Sequence, residues 1–277
     1  SELRFSRSFI EAISNIKLAA AQTNMELGLL EEKLGTAIVE AATEVAGGKF
    51  DDQFVVDIFQ TGSGTSTNMN ANEVISNRSI ELLGGELGSR TPVHPNDHVN
   101  TGQSSNDVIP TAIHVAAAKS IKDNLIPSLV QLKKSLETKS EEFMPIIKTG
   151  RTHLQDATPV RLGQEFEGHA GQIERGIQRC EQALIELSEV ALGGTAVGTG
   201  VNTHPEFAKK VCQKISSALD IDIHETNNHF QAQSTLDNIV QASGSMKTIA
   251  VSLMKIANDI RWMGSGPRGG FGEIELP

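Results

Sequence analysis

Four short polar segments carry the residues best suited to chemistry: Thr61-Gly-Ser-Gly-Thr65, His94-Pro-Asn-Asp-His98, Gln103-Ser-Ser-Asn-Asp107 and Gly150-Arg-Thr-His-Leu154. Three of them immediately precede a helical pattern. A helix start leaves backbone N–H groups without helical partners, and Ser, Thr and Asn side chains add further donors. Such starts attract anions, carboxylates included. One segment of this kind is an ordinary helix cap. Several, each richer in donors than a cap requires, point to a shared polar site. The charge balance, 24 basic against 34 acidic residues for a net of −10, makes that more telling. An acidic protein repels anions overall, so an acidic ligand needs concentrated local donors.

His153 is the residue with a plausible acid/base task. Arg151 and Thr152 precede it, and Gln155 and Asp156 follow. An imidazole, with an ordinary pKa of about 6.5, exchanges protons near neutral pH. Other candidates fail on context. Gly264-Ser-Gly-Pro-Arg-Gly269 fits G-x-G-x-x-G, but it follows a helical pattern and contains Pro267. A dinucleotide fingerprint needs a strand, a turn and a helix start. His94 and His98 have the spacing of a metal pair, yet Pro95 opposes a regular helix holding both rings on one face, and there is no H-E-x-x-H. We therefore expect no metal site. His114, His169, His204, His224 and His229 have no local partner pattern and read as structural or surface residues.

The elements that must position these segments are helices. Aromatic residues make up only 4%, with one Trp and no Tyr, so the core is built from Ala, Leu, Ile and Val. That composition suits packed helices better than a β-sandwich. From Leu162 the apolar positions run through Phe166, Ala170, Ile173, Ile177, Cys180, Leu184, Leu187 and Ala191, a 3.5-residue repeat. A second run follows Leu236, Val240, Ser243, Lys247, Ala250, Met254, Ala257 and Ile260, with Leu253 and Ile256 widening the stripe. A third follows Ile121, Leu125, Leu129, Leu132 and Leu136, with Pro127 as a kink or a late start. Residues 8–45 predict two helices parted near Gly28, Asn72–Leu83 predicts another stopped by Gly84-Gly85, and 86–111 predict mostly loop. No apolar run approaches the roughly 20 residues that span a bilayer, and no basic stretch suits nucleic acid or an anionic membrane surface. Cys180 and Cys212 lack C-x-x-C or zinc spacing and read as reduced, buried and intracellular.

Read together, QTGSGTSTNMNANEVISNR, VHPNDHVNTGQSSNDVIPTAIHVAA, KTGRTHLQDATPVRLGQE, ALGGTAVGTGVNTHPEF and SLMKIANDIRWMGSGPRGGFGEIELP resemble class II fumarate hydratase, the fumarase branch of the aspartase/fumarase superfamily. The resemblance runs the length of the chain in order. It implies an all-α fold: an elongated long-helix bundle of the aspartase/fumarase type with a smaller, mostly helical N-terminal domain. It implies reversible hydration of fumarate to (S)-malate through an aci-carboxylate intermediate, without metal or organic cofactor. By motif, Ser63, Gly64 and Thr65 form one substrate-binding element and Ser104, Ser105 and Asn106 another. Thr152 contacts a substrate carboxylate and His153 is catalytic. His94, Pro95, Asn96 and Asp97 resemble the family's second dicarboxylate site. The implied partner, besides the dicarboxylate, is the chain itself, in a homotetramer whose active sites are shared between subunits.

The resemblance also marks what is missing. A GSSxMPGKxNP loop, expected soon after GEIELP, would carry the carbon-proton base; a GAQTxRS segment is expected before Ser1. The expected domains are therefore 1–104, incomplete at its start, and 105–277, lacking later helices. The chain alone is expected to be inactive. The expected location is the cytoplasm, or the mitochondrial matrix for a eukaryotic source. Two rivals are an aspartate ammonia-lyase on the same fold, which His153 opposes, and a non-catalytic structural protein reusing it.

Overall fold

The computed structural model describes residues 1–277. Nine α-helices dominate: α1 Arg7–Glu26, α2 Glu32–Ala46, α3 Thr65–Leu82, α4 Ser105–Ser120, α5 Ile126–Phe143, α6 Leu162–Ser188, α7 Phe207–Leu219, α8 His229–Ser234 and α9 Asp237–Met263. Strands β1 (Ile147–Thr152) and β2 (Gln155–Arg161) form an antiparallel hairpin, while β3 (Glu189–Val190) and β4 (His224–Glu225) make a minimal parallel pair. The expected helical class holds. No helix is long and apolar enough to cross a membrane.

The chain divides into two compact units, Ser1–Ser120 with Ile185–Ile239, and Ile121–Leu184 with Val240–Pro277. The boundary drawn from sequence near residue 105 falls inside the first unit, at the start of α4. In that unit α1 packs against α2, α3, α4 and α7. Ile13, Ile16, Ile38, Ile75, Val115 and Phe207 are fully buried there. Small Ala residues between them, such as Ala20, Ala41, Ala71 and Ala112, let the helices approach closely and explain how a core forms with so few aromatics. The break after α1 falls where expected, with Gly28 at φ +70°.

In the second unit α6 buries its predicted seam: Leu162, Phe166, Ala170, Ile173 and Cys180. Ser140 of α5 donates to the Gly163 carbonyl (2.8 Å), and Phe143 packs edge-on against Phe166. Gly176 admits Ile249 of α9 and Leu129 of α5 to one spot. Both cysteines are free and buried.

Three features depart from the sequence reading. Helix α3 begins at Thr65 rather than Asn72, because Gly64 starts it and buried Asn68 and Asn72 replace an apolar stripe in its first turns. Helix α9 buries Ala242, Ile249, Ile256 and Met263, a seven-residue repeat that shares Ile256 alone with the predicted stripe; Val240 and Met254 of the predicted run are exposed. Several sides of α9 are apolar, so periodicity alone could not select one. Finally, Gly150–Leu154 lies in the β1–β2 hairpin rather than before a helix. The β-branched Thr149, Thr152, Thr158 and Val160 suit extended backbone, and a register shift at Gly150 accommodates the close approach of the Thr158 carbonyl.

Candidate active site

Two of the predicted elements come together in the first unit. Gly64 sits ahead of α3 at φ +70°, and a Cβ there would lie 2.9 Å from Ile109 of α4. Only glycine meets both demands. Its carbonyl accepts the N–H groups of Thr67 and Asn68, starting the helix. The Ser63 and Thr65 hydroxyls lie 2.9 Å apart and share a hydrogen bond. The second element opens α4. The Asn106 N–H donates to Ser104 Oγ (3.3 Å), and the Asn106 amide donates to the Ala196 carbonyl (2.8 Å).

Asn68 joins these elements. Its Nδ2 donates to Ser105 Oγ (3.0 Å) and to Asn100 Oδ1 (3.3 Å). Because the Ser105 oxygen accepts from Asn68, its own proton is free to be donated elsewhere. Asp107, fully buried, holds the base of α4. One carboxylate oxygen accepts from the Ser104 N–H (2.9 Å), the other from the Gly193 (3.1 Å) and Thr195 (2.9 Å) N–H groups. Burial pushes its carboxyl up to about 6, with the three N–H donors and the Lys17 charge pulling the other way.

Sequence reasoning placed Asp107 within a polar segment but gave it no role, and it passed over Asn68, Thr195 and Lys17. The signals were weak. A buried Asn in a motif and a Gly-rich stretch at 193–200 hint at close packing, but the partners are far apart in sequence.

Thr152 and His153 lie in the second unit. Thr152 ends β1 and pairs with Gln155, leaving His153 and Leu154 as a two-residue turn. Their φ values are +53° and +61°. That geometry matches the twist of a hairpin but normally favours Asn-Gly, and each non-glycine residue there costs about 1 kcal/mol. His153 is consequently exposed at the tip. The hairpin is anchored from below. Lys148 pairs with Glu165 of α6 (2.8 Å) and with Glu273 (2.5 Å), and Arg151 pairs with Glu273 (2.7 Å) while stacking on Phe271. Burial would raise the Glu273 carboxyl, but these two cations overcome it and hold it below the ordinary carboxylate range. A cleft of about 510 Å³ beside the hairpin is lined by Arg151, Leu154, His169, Lys255, Trp262 and Phe271, among others.

The predicted second dicarboxylate segment forms a five-residue π-helical turn over Pro95–Val99. His94 Nδ1 accepts from the Asn96 (3.3 Å) and Asp97 (3.2 Å) N–H groups, and the His94 N–H donates to His98 Nδ1 (2.8 Å). Backbone donors thus occupy one nitrogen of each ring.

Comparison with known proteins agrees with this architecture. A lyase family model matches residues 2–277. The chain is 53% identical over 274 residues to fumarate hydratase class II of Nitrosomonas europaea, covering 99% of this chain and 59% of the relative. It is 54% identical over 268 residues to mitochondrial fumarate hydratase of Rattus norvegicus, covering 97% and 53%. Among solved structures, fumarate lyase:delta crystallin from Brucella melitensis superposes with a TM-score of 0.96 at 43% identity, over 100% of this chain and 60% of that one. Recombinant class II fumarase from Schistosoma mansoni gives 0.92 at 40% identity, over 96% and 59%. The chain therefore spans little more than half the length of the curated relatives.

Proposed function

This chain belongs to the lyase family, and from that premise we propose that it carries the donor elements and the acid/base histidine of a class II fumarate hydratase, which interconverts fumarate and (S)-malate. The observation that carries this reading is the union of the two donor-rich helix starts through Asn68, which leaves the Ser105 proton available beside Ser104 and Asn106. In the dehydration of malate one C–H bond next to a carboxylate breaks, its proton passes to the base that the resemblance places on a further loop, and its electron pair moves into that carboxylate as an aci-carboxylate. Fixed donors aimed at that developing charge supply most of the stabilisation. Ser63, Gly64 and Thr65 with Ser104, Ser105 and Asn106 are assigned to the substrate carboxylates, as is Thr152. The C–O bond then breaks and hydroxide departs with a proton from His153; in the reverse direction His153 takes a proton from the adding water. The reading calls for no metal or organic cofactor.

His94, Pro95, Asn96 and Asp97 are assigned to a second dicarboxylate site. A homotetramer with shared active sites belongs to the same reading, as does a cytoplasmic location, or a mitochondrial one such as the rat relative's name states. The test is fumarate hydration by the full-length protein, followed by loss of the ultraviolet absorbance of the double bond. Turnover is expected in the wild type, and His153→Asn is expected to lower kcat by about 10²–10⁴ with the assembly state unchanged. An unaltered rate would remove His153 from the mechanism, and ammonia release from aspartate in place of hydration would overturn the reading.

A further inference from the structure

Lys17 lies in the middle of α1 and has no solvent exposure, among Ile13, Ile16, Ala20 and Ala21 of the same buried face. A long cationic side chain at such a place is costly unless it is hydrogen-bonded, and apolar residues fill such positions at no cost. Its Nζ donates to two amide oxygens, Asn100 Oδ1 (2.7 Å) and Gln103 Oε1 (3.0 Å). Both acceptors belong to the loop that leads directly into Ser104. The same Asn100 oxygen accepts from Asn68, which also holds Ser105. Gln103 in turn donates to the Val99 and Thr101 carbonyls, so the ammonium's grip extends through the loop. Asp107 grips the other side of α4's first turn through Ser104, Gly193 and Thr195. Its carboxylate is the charged group that acts on Lys17, through space.

We propose that Lys17 is a positioning residue for dicarboxylate binding: its ammonium fixes the 100–103 loop so that Ser104, Ser105 and Asn106 face the substrate, and it places a positive charge behind those donors. The proposal rests on the fumarate hydratase reading for its ligand. A buried cation behind hydrogen-bond donors favours an anion in the ground state and in the transition state alike, which is binding that appears in KM more than in kcat. The low-dielectric surroundings that make Lys17 costly also lengthen the reach of its charge. Burial pushes the ammonium down to about 7, and Asp107 opposes that shift. A dianion bound above it would act in the same direction as Asp107.

The experiment compares full-length wild type, Lys17→Met and Gln103→Met. Lys17→Met is expected to raise KM for fumarate and malate at least tenfold while kcat falls less than threefold. Gln103→Met, which removes one acceptor and keeps the charge, is expected to give a smaller rise in KM with the same split. A purely structural Lys17 would lower the unfolding temperature and the active fraction without moving KM. That outcome, in a wild type that hydrates fumarate, overturns the proposal. If Lys17→Met does not fold, an unchanged KM in Gln103→Met overturns it. Deuterium exchange separates this test from the functional reading: should the wild type prove inactive, that reading fails. Faster exchange across residues 100–108 in a folded variant, with α5 unchanged, would still support the positioning role. Equal exchange there would overturn it.

Discussion

Lys17 also makes folding stability depend on pH. Its folded-state pKa of about 7 lies below the ordinary 10.5. Between those values the unfolded chain holds a proton that the folded chain has released, so folding stability rises with pH. The contribution is complete above about 10.5 and is lost as pH falls through 7. Urea unfolding at pH 7 and pH 9 should show the wild type gaining stability relative to Lys17→Met across that interval; parallel behaviour of the two proteins would remove the buried-ammonium assignment. None of this was legible beforehand. Ser104, Ser105 and Asn106 announced themselves as donors because their residue types do. Lys17 stands in an unremarkable helical stretch, and only the packing of α1 against α3 and α4 turns it inward. Asp107 was visible as a polar residue, but its acceptor role depends on Gly193 and Thr195, which no local spacing connects to it.

At the scale of elements, the long helices were readable and their environments were not. The α6 seam was correct because one side of that helix is clearly apolar. The buried side of α9 was missed because Ala, Ile, Val and Met occupy several sides. The β1–β2 hairpin escaped because its centre, Gly150 to Leu154, contains donors and a histidine in place of the Asn-Gly that marks such a turn. Two glycines of α6 should respond in opposite ways to alanine. At Gly163 a Cβ would fall 2.3 Å from the Ser140 carbonyl oxygen and 2.7 Å from the Met144 nitrogen, both backbone atoms. Gly163→Ala should therefore destabilise by about 3 kcal/mol. At Gly171 a Cβ meets nothing within 4 Å, so Gly171→Ala should stabilise by about 1 kcal/mol through helix propensity alone. Denaturant unfolding of the two variants checks both signs.

For the whole molecule, the scarcity of aromatics first read from composition is matched by an unusual distribution of aliphatic side chains. Val240, Val251 and Met254 are each about 60% exposed or more and recur along one side of α9, with exposed Lys247 between the first two. The protein is expected to self-associate through that side. Sedimentation should give an oligomeric mass for the wild type and a lower one for the double variant Val251→Glu and Met254→Lys; an unchanged mass would place the contact elsewhere.

The ties that hold α4 also set an order of events. Asp107 closes onto Gly193 and Thr195 across 86 and 88 residues, and Lys17 reaches Asn100 across 83. Contacts so distant in sequence form late, after the entropy of closing the intervening chain has been overcome. During synthesis, therefore, the donors of α4 emerge from the ribosome long before the residues that lock their base exist. A nascent chain that stops short of Thr195 has its donors in hand and nothing yet to aim them.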